Sequence, residues 1–255
     1  IATAVQSVAC GNNHTHFLKT DGTLWGMGAN NASGYVGNDS MLPVDTAVQI
    51  DTGVRQISAL IDANRTYYVK NDNSLWIVEQ TPTQLLSSGV QRVFAGSDQF
   101  FIIGTTDGEL YGWGDGNDGA LGTGNENDLT IENRVLLDNE VVDVATGSNH
   151  TLWVKEDGSL WGCGDNGSGQ LGLGDTDDRL TPVEILPGGV VEVVASNDGT
   201  FFRRSDNTLW AMGDNTGGRL GTGDAENKLT PVQIGSNVTA IGAGGDLFMW
   251  LTVVE

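Results

Sequence analysis

The sequence predicts an all-β fold, a β-propeller of about five four-stranded blades plus a C-terminal half-blade, which gives five to six radial positions. Two observations predict it. A unit of roughly 50 residues recurs along the chain, and every segment within the unit has strand character, with no segment of helical periodicity. Four short strands per repeat of about 40–50 residues are typical of propeller blades. An open, superhelical stack of the same units is the alternative all-β architecture.

Two signatures mark each unit. The first is V-x-x-V or V-x-x-I, as in VVDVATG from Val141, and the second is D-G-x-L-W-G-x-G with a glycine-rich continuation, as in DGSLWGCGDNGSGQLGLGD from Asp157. A degenerate copy, DNSLW, starts at Asp72. We therefore expect one repeat domain over residues 1–255, with units at 5–53, 54–89 (short), 90–140, 141–189 and 190–237, and a half-unit at 238–255.

Each segment of a unit has its own strand signal. VVDVA is a β-branched run, HTLWVK from His150 alternates in polarity, and GSLWGCG follows the strong hairpin dipeptide Asp157-Gly158. The fourth segment is LTPVEI from Leu180. Because Pro182 has no N–H to donate, we expect either that this strand begins at the proline or that it lies at a sheet edge.

The glycine-rich stretch also contains a G-x-G-x-x-G match at Gly162, Gly164 and Gly167. A dinucleotide site needs a helix after this motif, whose N-terminus holds the pyrophosphate. No such helix is predicted here, and the stretch recurs in every full unit. We interpret its glycines as serving tight turns and close strand packing.

Residues 141–185 resemble the repeat of the regulator-of-chromosome-condensation family. The matching motifs are G-x-x-H-T, D-G-x-L-W-G-x-G, N-x-x-G-Q-L-G-x-G-D and T-P-V, in that order. The resemblance extends over nearly the whole chain. It implies a propeller, usually described with seven blades, and functions such as nucleotide exchange on small GTPases or, in secreted bacterial propellers, inhibition of beta-lactamases.

The chain is strongly acidic, with 12 Lys and Arg against 33 Asp and Glu, a net charge of −21. Such a surface repels phosphate backbones and anionic lipids, so we expect no nucleic-acid partner, and it attracts basic partners. No apolar run approaches the roughly 18 residues that span a bilayer, so no membrane insertion is expected. Few Lys, many Thr, Asn, Asp and Gly, and only two Cys favour an extracellular or secreted, bacterial setting.

Recurring polar and aromatic residues are interpreted as structural. His14 and His16 would share one strand face, which would suit a metal, but His14 aligns with the motif residue His150 and His16 aligns with Leu152. We therefore expect a hydrogen-bonded motif histidine beside a variable residue. The aromatic residues of the second signature recur at equivalent positions, which favours packing between blades over sugar binding, and they are Trp25, Trp76, Tyr111, Trp161 and Trp210.

No catalytic motif was found, so we expect no enzyme and no cofactor. The acidic loops from Asp115 and Asp165 offer oxygens that suit Ca²⁺, but the EF-hand pattern is absent, so Ca²⁺ stays only an alternative to solvated turns. Cys10 and Cys163 lie in different units and at different strands of the repeat, so no intrachain disulfide is expected.

The half-unit is the most apolar stretch, VTAIGAG followed by LFMWLTVV. We expect its two strands to present an unpaired edge and an apolar face, and to mediate self-association as a ring or filament. The candidate contact residues are Val238, Ile241, Leu247, Phe248, Trp250, Leu251 and Val253.

Two functions are therefore open at this point. The first is a non-enzymatic extracellular structural or interaction propeller that assembles through its terminal strands. The second is a soluble inhibitor or regulator that docks one propeller face on a partner protein. Both functions imply a protein partner, either a second copy or another protein.

Overall fold

A computed structural model describes residues 3–11, 13–30, 35–59, 65–96, 99–104, 106–244 and 247–252. The chain divides into two compact units, Ile1–Thr106 and Asp107–Glu255, and each is described by itself. The predicted fold class is confirmed: the described residues form an all-β propeller in which five repeats have four strands each and a sixth has two.

The first unit contains two complete sheets and the first half of the third repeat. Blade one and blade two are antiparallel sheets in which neighbours in sequence are neighbours in the sheet. Blade one comprises β1 (Val5–Cys10), β2 (His14–Lys19), β3 (Leu24–Gly28) and β4 (Val44–Asp51). Blade two comprises β5 (Val54–Ala59), β6 (Thr66–Lys70), β7 (Leu75–Val78) and β8 (Thr83–Leu86), and the third repeat adds the paired strands β9 (Val90–Ala95) and β10 (Gln99–Gly104).

The second unit begins with the rest of the third repeat, the paired strands β11 (Leu110–Gly114) and β12 (Val135–Asp138). Blade four comprises β13 (Val141–Thr146), β14 (His150–Lys155), β15 (Leu160–Gly164) and β16 (Arg179–Leu186). Blade five comprises β17 (Val190–Ala195), β18 (Gly199–Arg204), β19 (Leu209–Gly213) and β20 (Lys228–Gly235). A two-stranded sheet follows, made of β21 (Val238–Gly244) and β22 (Leu247–Thr252).

The V-x-x-V signature reflects a β-bulge in the first strand of each blade. In blade four the register shifts between Val141 and Asp143, so two valines three residues apart both point inwards. Val141 and Val144 are accordingly 2% and 5% exposed. Without the bulge, a spacing of three would place these side chains on opposite faces.

The D-G dipeptides form the turn between the second and third strands. The Asp157 carboxylate accepts a hydrogen bond from the Ser159 N–H at 2.8 Å, and Gly158 has φ +80°. In blade two the same left-handed position is occupied by Asn73, with φ +65°. Glycine and asparagine are the residues that adopt this conformation at least cost, so the DNSLW copy makes the same turn.

The hydrophobic core lies between successive sheets. One buried cluster joins Leu152 and Val154 of blade four to Val193 and Phe202 of blade five. The fourth strands β16 and β20, which contain the two LTPV prolines, lie at the edges of their sheets, as the missing proline N–H predicted.

Helical structure in the described part of the chain is limited to three 3₁₀ turns, Asn117–Gly119, Ile131–Asn133 and Thr216–Gly218. Within the same residues, no helix has the length and apolar character required to cross a bilayer.

Candidate functional site

Three equivalent loops of the second unit connect the third and fourth strands of successive repeats. We call residues 115–128, 165–178 and 214–227 the acidic loop face. Each loop follows the third strand of its repeat, so the three loops lie at equivalent strand ends of successive sheets. This surface is the strongest candidate for partner binding.

A buried asparagine holds each of the last two loops in shape. Asn166 is 0% exposed, and its amide Nδ2 donates to the carbonyl and to the carboxylate of Asp175, both at 3.0 Å. Its Oδ1 accepts from the Leu171 N–H at 3.0 Å. Asn215 makes the same set of bonds, including one from its Nδ2 to the Asp224 carboxylate at 2.9 Å. The loops are therefore braced from within and present their outer side chains on a fixed frame.

The acidic loop face carries eleven Asp and Glu side chains and one basic residue, Arg219. Ion pairs in the described structure engage three of the carboxylates: Asp175 with Arg179 at 2.7 Å, Asp214 with Arg219 at 3.0 Å and Asp224 with Lys228 at 2.8 Å. The remaining carboxylates leave a strongly negative surface, and Glu126, Asp177 and Glu226 are exposed.

Crowding of these carboxylates is visible at Asp165. Burial raises the pKa of Asp165, and the nearby carboxylates of Asp178 and Asp118 raise it further. The described residues contain no group of three or more His, Cys, Asp or Glu side chains arranged to hold a metal ion.

The two histidines of blade one meet a threonine of blade two. The Thr66 hydroxyl oxygen lies 3.1 Å from His14 Nε2 and 3.0 Å from His16 Nδ1, and His16 Nε2 lies 3.3 Å from the Val36 carbonyl. A carbonyl only accepts, so His16 donates from Nε2 and its Nδ1 accepts the Thr66 hydroxyl proton. His14 Nε2–H then donates to Thr66. His16 is therefore assigned the tautomer with its proton on Nε2, and the chain of bonds runs in one direction from His14 to Val36.

Burial favours the neutral form of two buried histidines, His16 and His150. Burial lowers the pKa of His16 to about 3, and the neighbouring His14 acts in the same direction. His150, in blade four, is also fully buried, and burial lowers its pKa to about 4. Its Nε2 lies 3.2 Å from the hydroxyl of Thr200 in blade five, which itself donates to the Gln170 carbonyl. The motif histidine thus makes a hydrogen bond between blades four and five.

Three of the signature tryptophans lie between an aromatic ring and a cation, namely Trp25, Trp76 and Trp210. Trp76 stacks on Tyr68 at 6.2 Å between ring centroids, and Lys70 lies over its ring at 5.1 Å. Its indole N–H donates to the Ser74 hydroxyl at 2.8 Å. Trp25, Trp161 and Trp210 make the equivalent hydrogen bond to a Ser or Thr, and Arg134 lies over Tyr111. Trp76 and Trp210 also pack against the cores between blades.

The terminal strands expose apolar side chains. Val238 is buried, whereas Trp250 and Leu251 are 45% and 66% exposed, with Met249 at 75%. In the sheet, Ile241 pairs with Trp250, and both line an apolar depression of about 560 Å³. The strand β22 also contains Leu247 and Phe248, while Val253 lies outside the described residues.

Sequence reasoning missed a second link between blades. The Asp138 carboxylate at the end of β12 accepts from Trp153 Nε1 at 2.9 Å and from Lys155 Nζ at 2.8 Å in blade four. Asp51 does the same for two residues of blade two, Tyr68 and Lys70. The signal available in the sequence was that Asp51 and Asp138 each lie shortly before the first valine of the next unit.

Both cysteines are free, Cys10 exposed and Cys163 buried.

Comparison with protein families identifies the repeat. The family model "Regulator of chromosome condensation (RCC1) repeat" matches residues 107–154, 157–202 and 206–251. A second model of the same description matches residues 5–34 and 141–170.

Solved structures share the fold at low sequence identity. Prp20p from Saccharomyces cerevisiae superposes with a TM-score of 0.80 and 18% identity over 94% of this chain and 67% of that chain. Human WBSCR16 gives 0.79 and 17% identity over 98% of this chain and 72% of that chain.

A curated relative matches a shorter region. The E3 ubiquitin-protein ligase HERC2 of Homo sapiens is 29% identical over 175 residues, which cover 60% of this chain but only 4% of that protein. The repeat signatures, the four-stranded sheets and the matched residues agree. The chain belongs to the regulator of chromosome condensation (RCC1) repeat family.

Proposed function

We propose that this chain is a non-catalytic protein-binding propeller whose acidic loop face docks a basic surface of a partner protein. The observation that carries the proposal is the concentration of carboxylates on loops that are braced by Asn166 and Asn215. A preformed loop loses little conformational freedom on binding, and clustered charge accelerates encounter with an oppositely charged surface.

The titratable groups of the interior support a non-catalytic role. His16 and His150 are buried, neutral and engaged in hydrogen bonds that join blades. Burial raises the pKa of the Cys163 thiol to about 12, which disfavours the thiolate that a nucleophile needs. These groups therefore serve the scaffold.

Proteins of similar fold provide a precedent for protein partners. The Prp20p structure was described together with its binding to Gsp1p and histones, and Kap60 was solved bound to yeast RCC1 (Prp20). Histones are basic, which is the chemistry that the acidic loop face would select. For this chain such a partner is part of the proposal.

Removal of three exposed carboxylates tests the proposal. We would compare a variant with Glu126→Gln, Asp177→Asn and Glu226→Gln with a control variant that carries Glu140→Gln, Glu156→Gln and Glu184→Gln. Both lose three negative charges, but only the first set lies on the acidic loop face. Titration calorimetry with purified histones as the probe should show affinity weakened about tenfold by the first set and little by the second, with binding weakened by salt.

Equal weakening by both variants would mean that overall charge, and not this face, attracts the probe. The absence of histone binding at low salt would also contradict the proposal.

A second candidate is assembly of copies through β21 and β22, favoured by the exposure of Met249 and Leu251. Light scattering should then show a particle mass that rises with concentration, whereas a monomer at millimolar concentration would contradict this candidate function.

We also propose an extracellular setting, from composition alone, and fractionation of the source cells tests it.

A further inference from the structure

The loop of blade four contains the only Asn-Gly dipeptide of the sequence, Asn166-Gly167. Asparagine is a chemically labile residue, because the backbone nitrogen of the residue that follows it attacks the side-chain amide carbon and forms a cyclic imide. Glycine permits this attack best, since it has no side chain in the way and adopts the widest range of backbone conformations. The sequence therefore marks Asn166 as the asparagine most prone to spontaneous deamidation.

The folded loop restrains both reacting groups. The Asn166 amide donates from Nδ2 to the Asp175 carbonyl and carboxylate, and its Oδ1 accepts from the Leu171 N–H. The Gly167 N–H, which has to lose its proton before it attacks, donates to the Asp165 carboxylate at 2.7 Å. Rotation of the amide towards the Gly167 nitrogen would break these hydrogen bonds, so the native loop blocks the reaction.

Access of water follows the same opening. Asn166 is 0% exposed, whereas the neighbouring Gly167 is exposed. Water has to reach the amide carbon to complete deamidation, and the loop has to open before it can. One local motion therefore frees the amide and admits the co-reactant.

Blade five has the same bracing without the reactive dipeptide. Asn215 is also 0% exposed, its Nδ2 donates to the Asp224 carboxylate at 2.9 Å, and its Oδ1 accepts from the Leu220 N–H at 2.9 Å. The next residue is Thr216, whose N–H donates to the Asp214 carboxylate at 3.0 Å. A β-branched side chain is stiff and obstructs attack by its own backbone nitrogen. Asn215 is therefore a matched site that differs in the residue that follows it.

We propose that Asn166 is a deamidation site that is blocked while the loop at residues 165–178 is braced and becomes reactive when this loop opens. In the open loop the Gly167 nitrogen gives up its proton and forms a bond to Asn166 Cγ. The bond from Cγ to Nδ2 breaks, and Nδ2 takes up a proton and leaves as ammonia. Water then adds to one of the two imide carbonyls, which leaves aspartate or isoaspartate at position 166.

The product cannot restore the bracing. A carboxylate at position 166 has no N–H for the Asp175 carbonyl and carboxylate, which both lie 3.0 Å from the present Nδ2. Two carboxylates in one buried site repel each other, and Arg179 is already paired with Asp175 at 2.7 Å. Conversion therefore releases the loop irreversibly. The chemistry involves no partner, so it can fail without affecting the docking proposed above, and the docking can fail without affecting it.

Peptide mapping by mass spectrometry measures the conversion. The full chain would be incubated at neutral pH, folded in buffer and unfolded in guanidinium chloride. Asn166 should convert in denaturant and at least about tenfold more slowly in the folded chain, because the reaction then waits for the loop to open. Equal rates in the two conditions, or no conversion in denaturant, would overturn the proposal.

Two pairs of variants separate the bracing from the dipeptide. Asp175→Ala removes one acceptor of the Asn166 amide and should raise its conversion rate in the folded chain at least about fivefold. Asp224→Ala, the equivalent change in blade five, should leave that rate unchanged, which excludes an effect of overall stability. Equal rates at Asn166 in these two variants would overturn the role of the loop.

The second pair exchanges the residue that follows the asparagine. Gly167→Thr should suppress conversion of Asn166, and the loop accepts a β-carbon there, since the nearest atom is Asp165 Oδ1 at 3.1 Å. Thr216→Gly should make Asn215 convert in denaturant as Asn166 does. Failure of Asn215 to convert in this variant would contradict the assignment to the dipeptide.

The variant Asn166→Asp reproduces one product. Amide hydrogen exchange of residues 165–178 should be faster in it than in the parent chain, while residues 214–227 should be unchanged. The blade is expected to fold, because Gly116 occupies the equivalent position of the third repeat and makes the same backbone bond, to Asp128. Unchanged exchange in residues 165–178 would overturn the irreversible release of the loop.

Discussion

Replacement of His16 by leucine should remove part of the acid sensitivity of the fold. The buried His16 stays neutral because its pKa is about 3, whereas the unfolded chain binds a proton with the ordinary value of 6.5. The stability contributed by the neutral ring is complete above pH 6.5 and is lost as the pH falls from there towards 3. Between pH 7 and pH 5.5 the loss from this one residue is about 1.3 kcal/mol.

Urea unfolding followed by tryptophan fluorescence at pH 7 and pH 5.5 measures this loss. The window lies above the ordinary pKa values of Asp and Glu, about 3.9 and 4.3, so histidines dominate it. Leucine occupies the equivalent position in blade four, Leu152, and is accepted by the repeat. The lost hydrogen bonds of His16 lower stability equally at both pH values and cancel in the difference.

The pH-dependent part of the free energy of unfolding should therefore be smaller by about 1.3 kcal/mol in His16→Leu than in the parent chain. A matched variant, His150→Gln, should show a similar reduction, because burial lowers the pKa of His150 to about 4, and Gln99 shows that glutamine is accepted at this position. An unchanged pH dependence in His16→Leu would refute the neutral, hydrogen-bonded assignment.

Three further changes probe the scaffold. Gly147→Ala would push a methyl group into the imidazole of the motif histidine and should destabilise the fold by about 1–3 kcal/mol in urea unfolding. Gly242→Ala should not, because its β-carbon would have no atom of the described residues within 4 Å. Asn166→Ala should lower stability by about 1–3 kcal/mol because it leaves loop groups without partners, and a melting temperature within error of the parent would contradict the bracing role. One thiol per native chain should react with a disulfide reagent, the exposed Cys10, and the buried Cys163 should react only in denaturant.

The repeated sequence pattern predicted the blades because its valine spacing indicates strands and its Asp-Gly dipeptides indicate turns. The bulge that places Val141 and Val144 on one face produces the spacing of three, and the left-handed turn residue explains the recurring Asp-Gly. The edge position of Pro182 followed from its missing N–H and was confirmed. The strands of the half-unit were also confirmed over the described residues.

The sequence pattern within one unit could not predict the side-chain contacts between blades. The partner of His14 and His16 is Thr66, about one repeat along the chain, and no spacing within a unit indicates it. The role of Asn166 depends on how its loop folds around a buried amide. A single sequence shows which residues recur, but side chains that meet across two sheets become visible only when the sheets are stacked.

Hydrogen exchange of the full chain, alone and with a saturating amount of histones, tests the central claim most directly. The claim is that partner proteins bind at the acidic loop face. We predict slower exchange in residues 115–128, 165–178 and 214–227, with the first-strand segments of the same blades unchanged. Histone binding accompanied by slower exchange only outside these three loops would contradict the account.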